Sequence, residues 1–162
     1  MLLDITATGY KLYQKNIHRH QVTGYLHGMF MPTAIVGFGI IIQRWFGQAF
    51  NTMFLFGILS LQTYGYSFID PNITVVNFLF YSVVIWLLHA GYPTLHTLWL
   101  SRGVPLFLLS WVMMECVGHW YLENQKSDLS QVINSVYWTQ LYGFQALMDR
   151  VPKITDDKLS ED

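Results

Sequence analysis

Residues 50–90, FNTMFLFGILSLQTYGYSFIDPNITVVNFLFYSVVIWLLHA, decide the fold, because they contain two long apolar runs separated by one carboxylate residue. The runs are separated at Asp70-Pro71-Asn72, a combination that strongly favours a helix stop. Each run has roughly the 17–25 residues that a helix needs to cross a bilayer. Neither run shows the polar stripe that a helix of a soluble bundle carries, so both runs predict membrane-spanning helices over the alternative of a soluble helical bundle.

The low charge continues outward from this stretch in both directions. Between residues 21 and 101, the only Asp, Glu, Lys or Arg residues are Arg44 and Asp70. Four apolar segments result, at residues 25–42, 50–68, 75–98 and 105–121. The first segment is predicted to end at Gln43-Arg44-Trp45. This pattern predicts an all-α membrane protein with about four transmembrane helices.

Length and composition limit the number of domains and the kinds of partner. The chain has 162 residues, of which 12% are charged, whereas about 25% is usual in soluble domains. We predict one transmembrane helical domain over residues 1–150 and an acidic, flexible tail over residues 151–162. The net charge of −1 and the lack of a basic block argue against a nucleic-acid partner.

Two flanking segments, residues 5–20 and 128–148, have an amphipathic pattern. We expect these N- and C-terminal flanking helices to lie on the membrane surface or to cap the bundle. Seven of the nine Lys and Arg residues lie toward the two termini, and only Arg44 and Arg102 do not. An even number of crossings places both termini on one side, and the positive-inside rule assigns that side to the cytoplasm or its organelle equivalent.

The candidate functional residues are mainly histidines, at positions His18, His20, His27, His89, His96 and His119. On the four-helix topology, His89 and His96 fall toward the side away from the termini, and the other four fall on the terminal side. Glu123 follows His119 by four residues, so the two side chains share one helix face. Imidazole and carboxylate groups are common ligands of Fe(II) and Zn(II).

The spacing of these residues also permits simpler roles. On a continuous helix His18 and His27 would point about 180° apart, so a shared ligand role requires a break, for which Gly24 is a candidate. Capping or interfacial contacts are preferred for His20, His89 and His96. For the set His18, His27, His119 and Glu123, metal binding and ordinary packing stay open. Glu115 needs a bundle-facing His or Arg as a partner, because intramembrane carboxylates are costly.

Two blocks of this sequence contain the candidate metal ligands. The first block is YKLY at residues 10–13, followed by His18, His27 and GMFMPT at residues 28–33. The second block is WVMMECVGHWYLE at residues 111–123. Both blocks resemble the Mpo1-like family of fungal and bacterial membrane proteins, typified by a 2-hydroxy fatty acid dioxygenase of the endoplasmic reticulum. The resemblance implies an Fe(II)-dependent enzyme that uses molecular oxygen to shorten 2-hydroxy fatty acids by one carbon during α-oxidation.

The resemblance also implies roles for individual residues. His18, His27 and His119 match family histidines and are the implied iron ligands. Glu123 matches the family's catalytic carboxylate, as a fourth ligand or as a residue that orients a ligand. The surroundings differ from the family pattern, because no Pro-x-Asn element follows His18 and Gln145 stands where the family has a carboxylate.

These differences leave three possibilities: a divergent active dioxygenase, an enzyme with another substrate, or, as the alternative function, a non-catalytic accessory subunit of a larger membrane protein complex. A transporter or channel is a further interpretation, but the chain lacks the paired broken helices of such proteins. The expected partners are membrane lipids with a 2-hydroxy fatty acid substrate, or the other subunits of that complex. By resemblance the expected location is the endoplasmic reticulum membrane, and the alternative is a mitochondrial or other organelle membrane.

Overall fold

The computed structural model describes residues 9–11, 13–14, 21–90, 99–124 and 132–149. Apart from short turns, these residues are helical and contain no β-strand, which confirms the predicted all-α class. The α-helices are α1 (Gln21–Ser67), α2 (Pro71–Ala90), α3 (Val104–Trp111) and α4 (Val132–Leu147). Helix α3 continues at both ends into π-helical turns, Trp99–Gly103 and Val112–Leu122, and we call the whole stretch the 99–122 helix. The predicted tail at 151–162 lies outside the described residues.

Helix α1 folds back on itself at Gly47. The backbone of Gly47 has φ 83° and ψ 169°, a conformation that is essentially restricted to glycine. The ring centroids of Phe38 and Phe54 lie 6.1 Å apart, although a straight helix would separate these residues by about 24 Å. Helix α1 is therefore a hairpin with two arms, residues 21–46 and 48–67.

The position of this turn corrects the sequence prediction by about one helical turn. The first apolar segment was expected to end at Gln43-Arg44-Trp45, but the helix continues through these residues to Gly47. Polar residues suggested the earlier end, whereas Gln43 is buried and receives a hydrogen bond of 3.2 Å from the side-chain amide of Asn51 in the second arm. This polar contact holds the two arms together beside the turn.

Two of the described helices are long and apolar enough to cross a membrane, Val22–Ser67 and Pro71–Ala90. Large apolar side chains lie on the outside of the structure, among them Met53, Phe68 and Trp86, which are 74%, 67% and 66% exposed. Monomeric soluble proteins rarely expose apolar patches of large extent. The composition of these helices and their apolar exterior suggest association with a membrane.

The turn between α1 and α2 is fixed by Asp70. One carboxylate oxygen, Oδ1, accepts hydrogen bonds from the backbone N–H groups of Asn72 at 3.1 Å and Ile73 at 3.3 Å, so Asp70 caps α2. Pro71 suits the first helical position because its missing N–H needs no partner there. The helix stop predicted at Asp70-Pro71-Asn72 therefore lies where the sequence places it.

Residues 137–146 of helix α4 are buried on all sides, although the sequence suggested an amphipathic flank. Every residue from 137 to 146 is buried. Its polar side chains pair with other elements: the hydroxyl groups of Thr139 and Tyr13 lie 2.6 Å apart, and Tyr81 donates to Gln140 Oε1 at 3.4 Å. Of the two expected positions, α4 takes the capping one and packs within the bundle rather than on a membrane surface.

Glycines allow the helices to approach closely at two places. A Cβ atom on Gly28 would lie 2.5 Å from the carbonyl oxygen of Gly143 in α4. A Cβ atom on Gly37 would lie 2.8 Å from the carbonyl oxygen of Gly103. Contacts this short exclude any larger residue without movement of a helix. Gly37 therefore allows the first arm of α1 to pack closely against the 99–122 helix.

The bundle has two ends, which we name by what they contain. At the hairpin end, beside the Gly47 turn, the side-chain amide of Gln43 donates to the carbonyl oxygen of Leu88 near the end of α2 at 3.2 Å. At the terminal end, Gln145 Nε2 in α4 donates to Asp70 Oδ2 at 3.3 Å, and the hydroxyl of Tyr10 donates to the same Gln145. The described residues nearest both chain termini thus meet at one end.

Candidate functional site

The candidate site forms where the first arm of α1 meets the π-helical turns of Val112–Leu122. Thr23 is fully buried there, and its hydroxyl donates to the carbonyl oxygen of Gly118 at 3.4 Å. A Cβ atom on Gly118 would lie 3.3 Å from Thr23 Cγ2, so the backbone at Gly118 runs close against α1. This contact sets the following residue, His119, beside the first arm of α1.

Two of the predicted metal ligands meet in this position. The imidazole rings of His27 and His119 have centroids 5.2 Å apart and are inclined by 46°. His27 is 2% exposed and His119 is 7% exposed, so both rings are shielded from solvent. The fold thus places side by side two imidazoles that are far apart in the sequence.

Glu123 fixes the orientation of the second imidazole. Its Oε2 atom lies 3.0 Å from His119 Nδ1, and its side chain is only 1% exposed. In the tautomer that carries the proton on Nδ1, His119 donates this hydrogen bond and Nε2 holds the lone pair that a metal ion or a proton requires. The contact corresponds to the carboxylate–histidine arrangement that orients metal ligands in many proteins.

The π-helical winding of Val112–Leu122 carries this part of the site. Such turns are rare and occur often at functional sites. Glu115 lies on the same stretch and interacts electrostatically with His119, four residues further on. The bundle-facing partner that Glu115 was expected to need is thus His119. Sequence patterns do not reveal the π-helical winding itself.

Tyr142 of α4 is a site residue that the sequence did not suggest. It is buried, and this burial, together with the negative charge of Glu123, raises the pKa of Tyr142 to about 12. Its hydroxyl therefore keeps its proton at neutral pH, close to the carboxylate of Glu123. A Cβ atom on Gly24 would lie 3.0 Å from Tyr142 Cε1, so the ring approaches α1 only because residue 24 is glycine.

This contact also corrects the role expected for Gly24. A helix break at Gly24 was expected to bring His18 and His27 together, but α1 is helical through Gly24. A Cβ atom there would also lie 2.8 Å from Ala146 Cβ, so the glycine serves helix packing. His18 lies outside the described residues, and its position relative to His27 rests on the sequence alone.

Of the remaining histidines, the structure describes His89, which lies away from this site. His89 is exposed at the hairpin end, where its ring forms a hydrogen bond with Gln48. His20 and His96 lie outside the residues that the structure describes. For His20 and His96, a capping or interfacial contact therefore stays a prediction. The hydrogen bond of His89 agrees with the same role for His89.

The side chains at this site, two imidazoles and a carboxylate, are of the types that bind metal ions. When two imidazoles bind one metal ion, each ring nitrogen lies about 2.1 Å from the metal, and the two ring centroids are then on the order of 5 Å apart. The ring centroids of His27 and His119 have this separation. The same separation is ordinary for two packed rings. Within residues 21–90, 99–124 and the shorter described segments, no three His, Cys, Asp or Glu side chains form a metal-binding group. A complete ligand set therefore requires a further residue, for which the sequence offers His18.

Comparisons with protein-family models, with curated proteins and with solved structures found no match to this chain. The chemistry of the site is therefore inferred from its own side chains. His27 and His119 can each provide one imidazole ligand to a metal ion, and His119 with Glu123 can also transfer a proton. Both kinds of chemistry would take place at the terminal end of an apolar bundle.

Proposed function

We propose that the chain is a membrane-bound Fe(II)-dependent dioxygenase that acts on 2-hydroxy fatty acids, the activity implied by its resemblance to the Mpo1-like family. The observation that carries the proposal is the pairing of His27 with His119, whose ring is oriented by Glu123. Imidazole and carboxylate ligands with open coordination positions are typical of non-haem Fe(II) oxygenases. When bound, Fe(II) supplies the redox chemistry that molecular oxygen requires.

Each described residue then has a role that follows from its contacts. His27 and His119 would hold the iron together with His18. Glu123 keeps the proton of His119 on Nδ1 and leaves the lone pair of Nε2 to serve as a ligand, so we assign it the part of a positioning carboxylate. The Tyr142 hydroxyl stays protonated at neutral pH, because burial and the negative charge of Glu123 raise its pKa.

We further propose that the chain crosses the membrane four times, through the two arms of α1, through α2 and through the 99–122 helix. Each of these segments has at least 20 residues and is thus about 30 Å or longer, which matches the apolar thickness of a bilayer. Four crossings place the start of α1 and the end of the 99–122 helix at the same membrane face. The adjacent rings of His27 and His119 support this arrangement.

This placement fits a lipid-derived substrate. The acyl chain of a 2-hydroxy fatty acid would lie in the bilayer, and its carboxylate and hydroxyl would reach the histidines at the level of the lipid headgroups. The positive-inside rule puts the site on the cytoplasmic side, and the family resemblance puts it in the endoplasmic reticulum. A soluble substrate would require none of this apolar surface.

The activity is tested with purified, iron-loaded protein, 2-hydroxyhexadecanoate and oxygen. We expect the product to be the fatty acid with one carbon fewer. His27→Ala and His119→Ala should abolish this product, and Glu123→Gln should lower the rate about 10- to 100-fold because the ring of His119 loses its orienting partner. The matched control is His89→Ala, which removes an exposed histidine at the hairpin end.

Two results would contradict the proposed activity. One is an iron-loaded wild-type protein that yields no shortened acid, and the other is a His119→Ala protein as active as wild type. A metal-free protein with intact helices, recovered only within a larger complex, would favour the accessory-subunit alternative.

A further inference from the structure

The first arm of α1 and the 99–122 helix bring two arginines to the hairpin end. A Cβ atom on Gly103 would lie 3.0 Å from Ile40 Cγ2, so the backbone at Gly103 touches the face of α1 that carries Ile40. Arg44 follows Ile40 by four residues and therefore lies on the same face, one turn closer to the Gly47 turn. Arg102 directly precedes Gly103. Both arginines are exposed.

The described residues provide these arginines with no nearby carboxylate. Between residues 21 and 114, Asp70 is the only Asp or Glu residue. Asp70 lies at the terminal end, about 27 Å along α2 from Leu88, which contacts Gln43 at the hairpin end. Throughout the described part of the chain, neither Arg44 nor Arg102 forms an ion pair. Their charges are thus available to an external anion.

The surroundings of the arginines resemble a membrane–water boundary. Trp45 and Phe46 follow Arg44 directly and are 66% and 65% exposed. Aromatic residues concentrate at the level of the lipid headgroups, and arginine side chains extend from apolar surfaces toward that level. A guanidinium group binds phosphate through two parallel hydrogen bonds, which makes phosphate a better match than a monodentate anion.

We propose that Arg44 and Arg102, juxtaposed at the hairpin end of the apolar bundle, bind the phosphate of an anionic phospholipid headgroup. The lipid's acyl chains would lie along the apolar surface next to Trp45 and Phe46, which is why we assign a lipid rather than free phosphate. The site rests on the membrane placement proposed above but requires neither iron nor the histidines. It is separated from the candidate metal site by the length of the bundle.

Lipid retention by the detergent-solubilised full chain tests this site. The protein is mixed with equal amounts of phosphatidylglycerol and phosphatidylcholine, and native mass spectrometry counts the lipids that remain bound. We expect wild type to retain phosphatidylglycerol preferentially. The double variant Arg44→Gln/Arg102→Gln should bind it about 10- to 30-fold more weakly, since each basic residue near a bilayer surface adds attraction for anionic lipid.

The matched control is Lys11→Gln/Lys15→Gln, which also removes two positive charges, but near the N-terminus. This variant should retain phosphatidylglycerol like wild type. Equal retention of both lipids by wild type, or equal losses in the two double variants, would overturn the site. If the glutamine variant does not fold, the comparison of the two lipids on wild type still decides. Iron content and activity are measured separately, so failure of the lipid site is distinguishable from failure of the proposed enzyme.

Discussion

At the scale of single residues, the sequence predicts contacts within one helix better than contacts between helices. The spacing of four between His119 and Glu123 places them on one face, and the structure joins them at 3.0 Å. The contact of His119 with His27 depends on how helices pack. The four-helix topology predicts that both lie on the terminal side, but it does not predict that their rings touch.

Glycines show why residue type alone is ambiguous. Gly24 and Gly47 lie in the same long helical element, yet only Gly47 breaks the helix. Gly24 stays helical because its missing side chain makes room for Tyr142 and Ala146 of α4. The difference depends on the neighbouring helix, which local sequence does not show.

The hairpin turn gives a stability prediction at one residue. Gly47→Ala should destabilise the protein by about 1–3 kcal/mol, because φ 83° with ψ 169° is strained for any residue with a Cβ atom. Gly57→Ala is the matched control. A Cβ atom on Gly57 meets nothing within 4 Å, so alanine there should be neutral or stabilising by up to about 1 kcal/mol.

Unfolding in detergent, followed by circular dichroism, measures both variants. The expected order of stability is Gly57→Ala at or above wild type, and Gly47→Ala below it. If both variants were equally stable, the hairpin turn at Gly47 would be in error.

At the scale of elements, the apolar helices and the presence of a helix at α4 are predictable from the sequence, whereas the burial of α4 is not. Asp70-Pro71-Asn72 separates the two apolar runs and marks the end of one helix and the start of the next, so α2 begins where the sequence indicates. Helix α4 contains Thr139 and Gln140, polar residues that resemble a solvent-facing side. In the structure their partners are Tyr13 and Tyr81, and a sequence pattern cannot distinguish such partners from water.

Gln145 of α4 shows the same limitation at a position where a carboxylate was expected from the family resemblance. Its side chain amide donates to Asp70 Oδ2 at 3.3 Å and its oxygen accepts from Tyr10. The carboxylate that Gln145 contacts is thus that of Asp70, which also caps α2. Helix α4, the N-terminal segment and the turn before α2 are joined through one amide.

At the scale of the whole molecule, composition predicts the all-α class and the apolar exterior, and the number of crossings stays a prediction. The four-crossing arrangement is tested with single cysteines after replacement of the one native cysteine by Cys116→Ala. Lys11→Cys lies near the N-terminus and Ser101→Cys lies at the hairpin end, and both positions are exposed.

In sealed vesicles of uniform orientation, a membrane-impermeant thiol reagent should label these two cysteines from opposite sides. Labelling of both from the same side, with the vesicles still sealed, would contradict an arrangement in which the two arms of α1 and helix α2, the three segments between these positions, each cross the membrane.

The central claim is that the helix bundle assembles an iron site from His27 and His119. The most direct measurement is the iron content of protein purified with Fe(II) under anaerobic conditions, determined by elemental analysis. We predict about one iron per chain in wild type and in the His89→Ala control, and a loss of most of it in His27→Ala and His119→Ala, all with unchanged helix content. Wild-type protein that is fully helical but holds no iron, or variants that bind iron like wild type, would contradict the account.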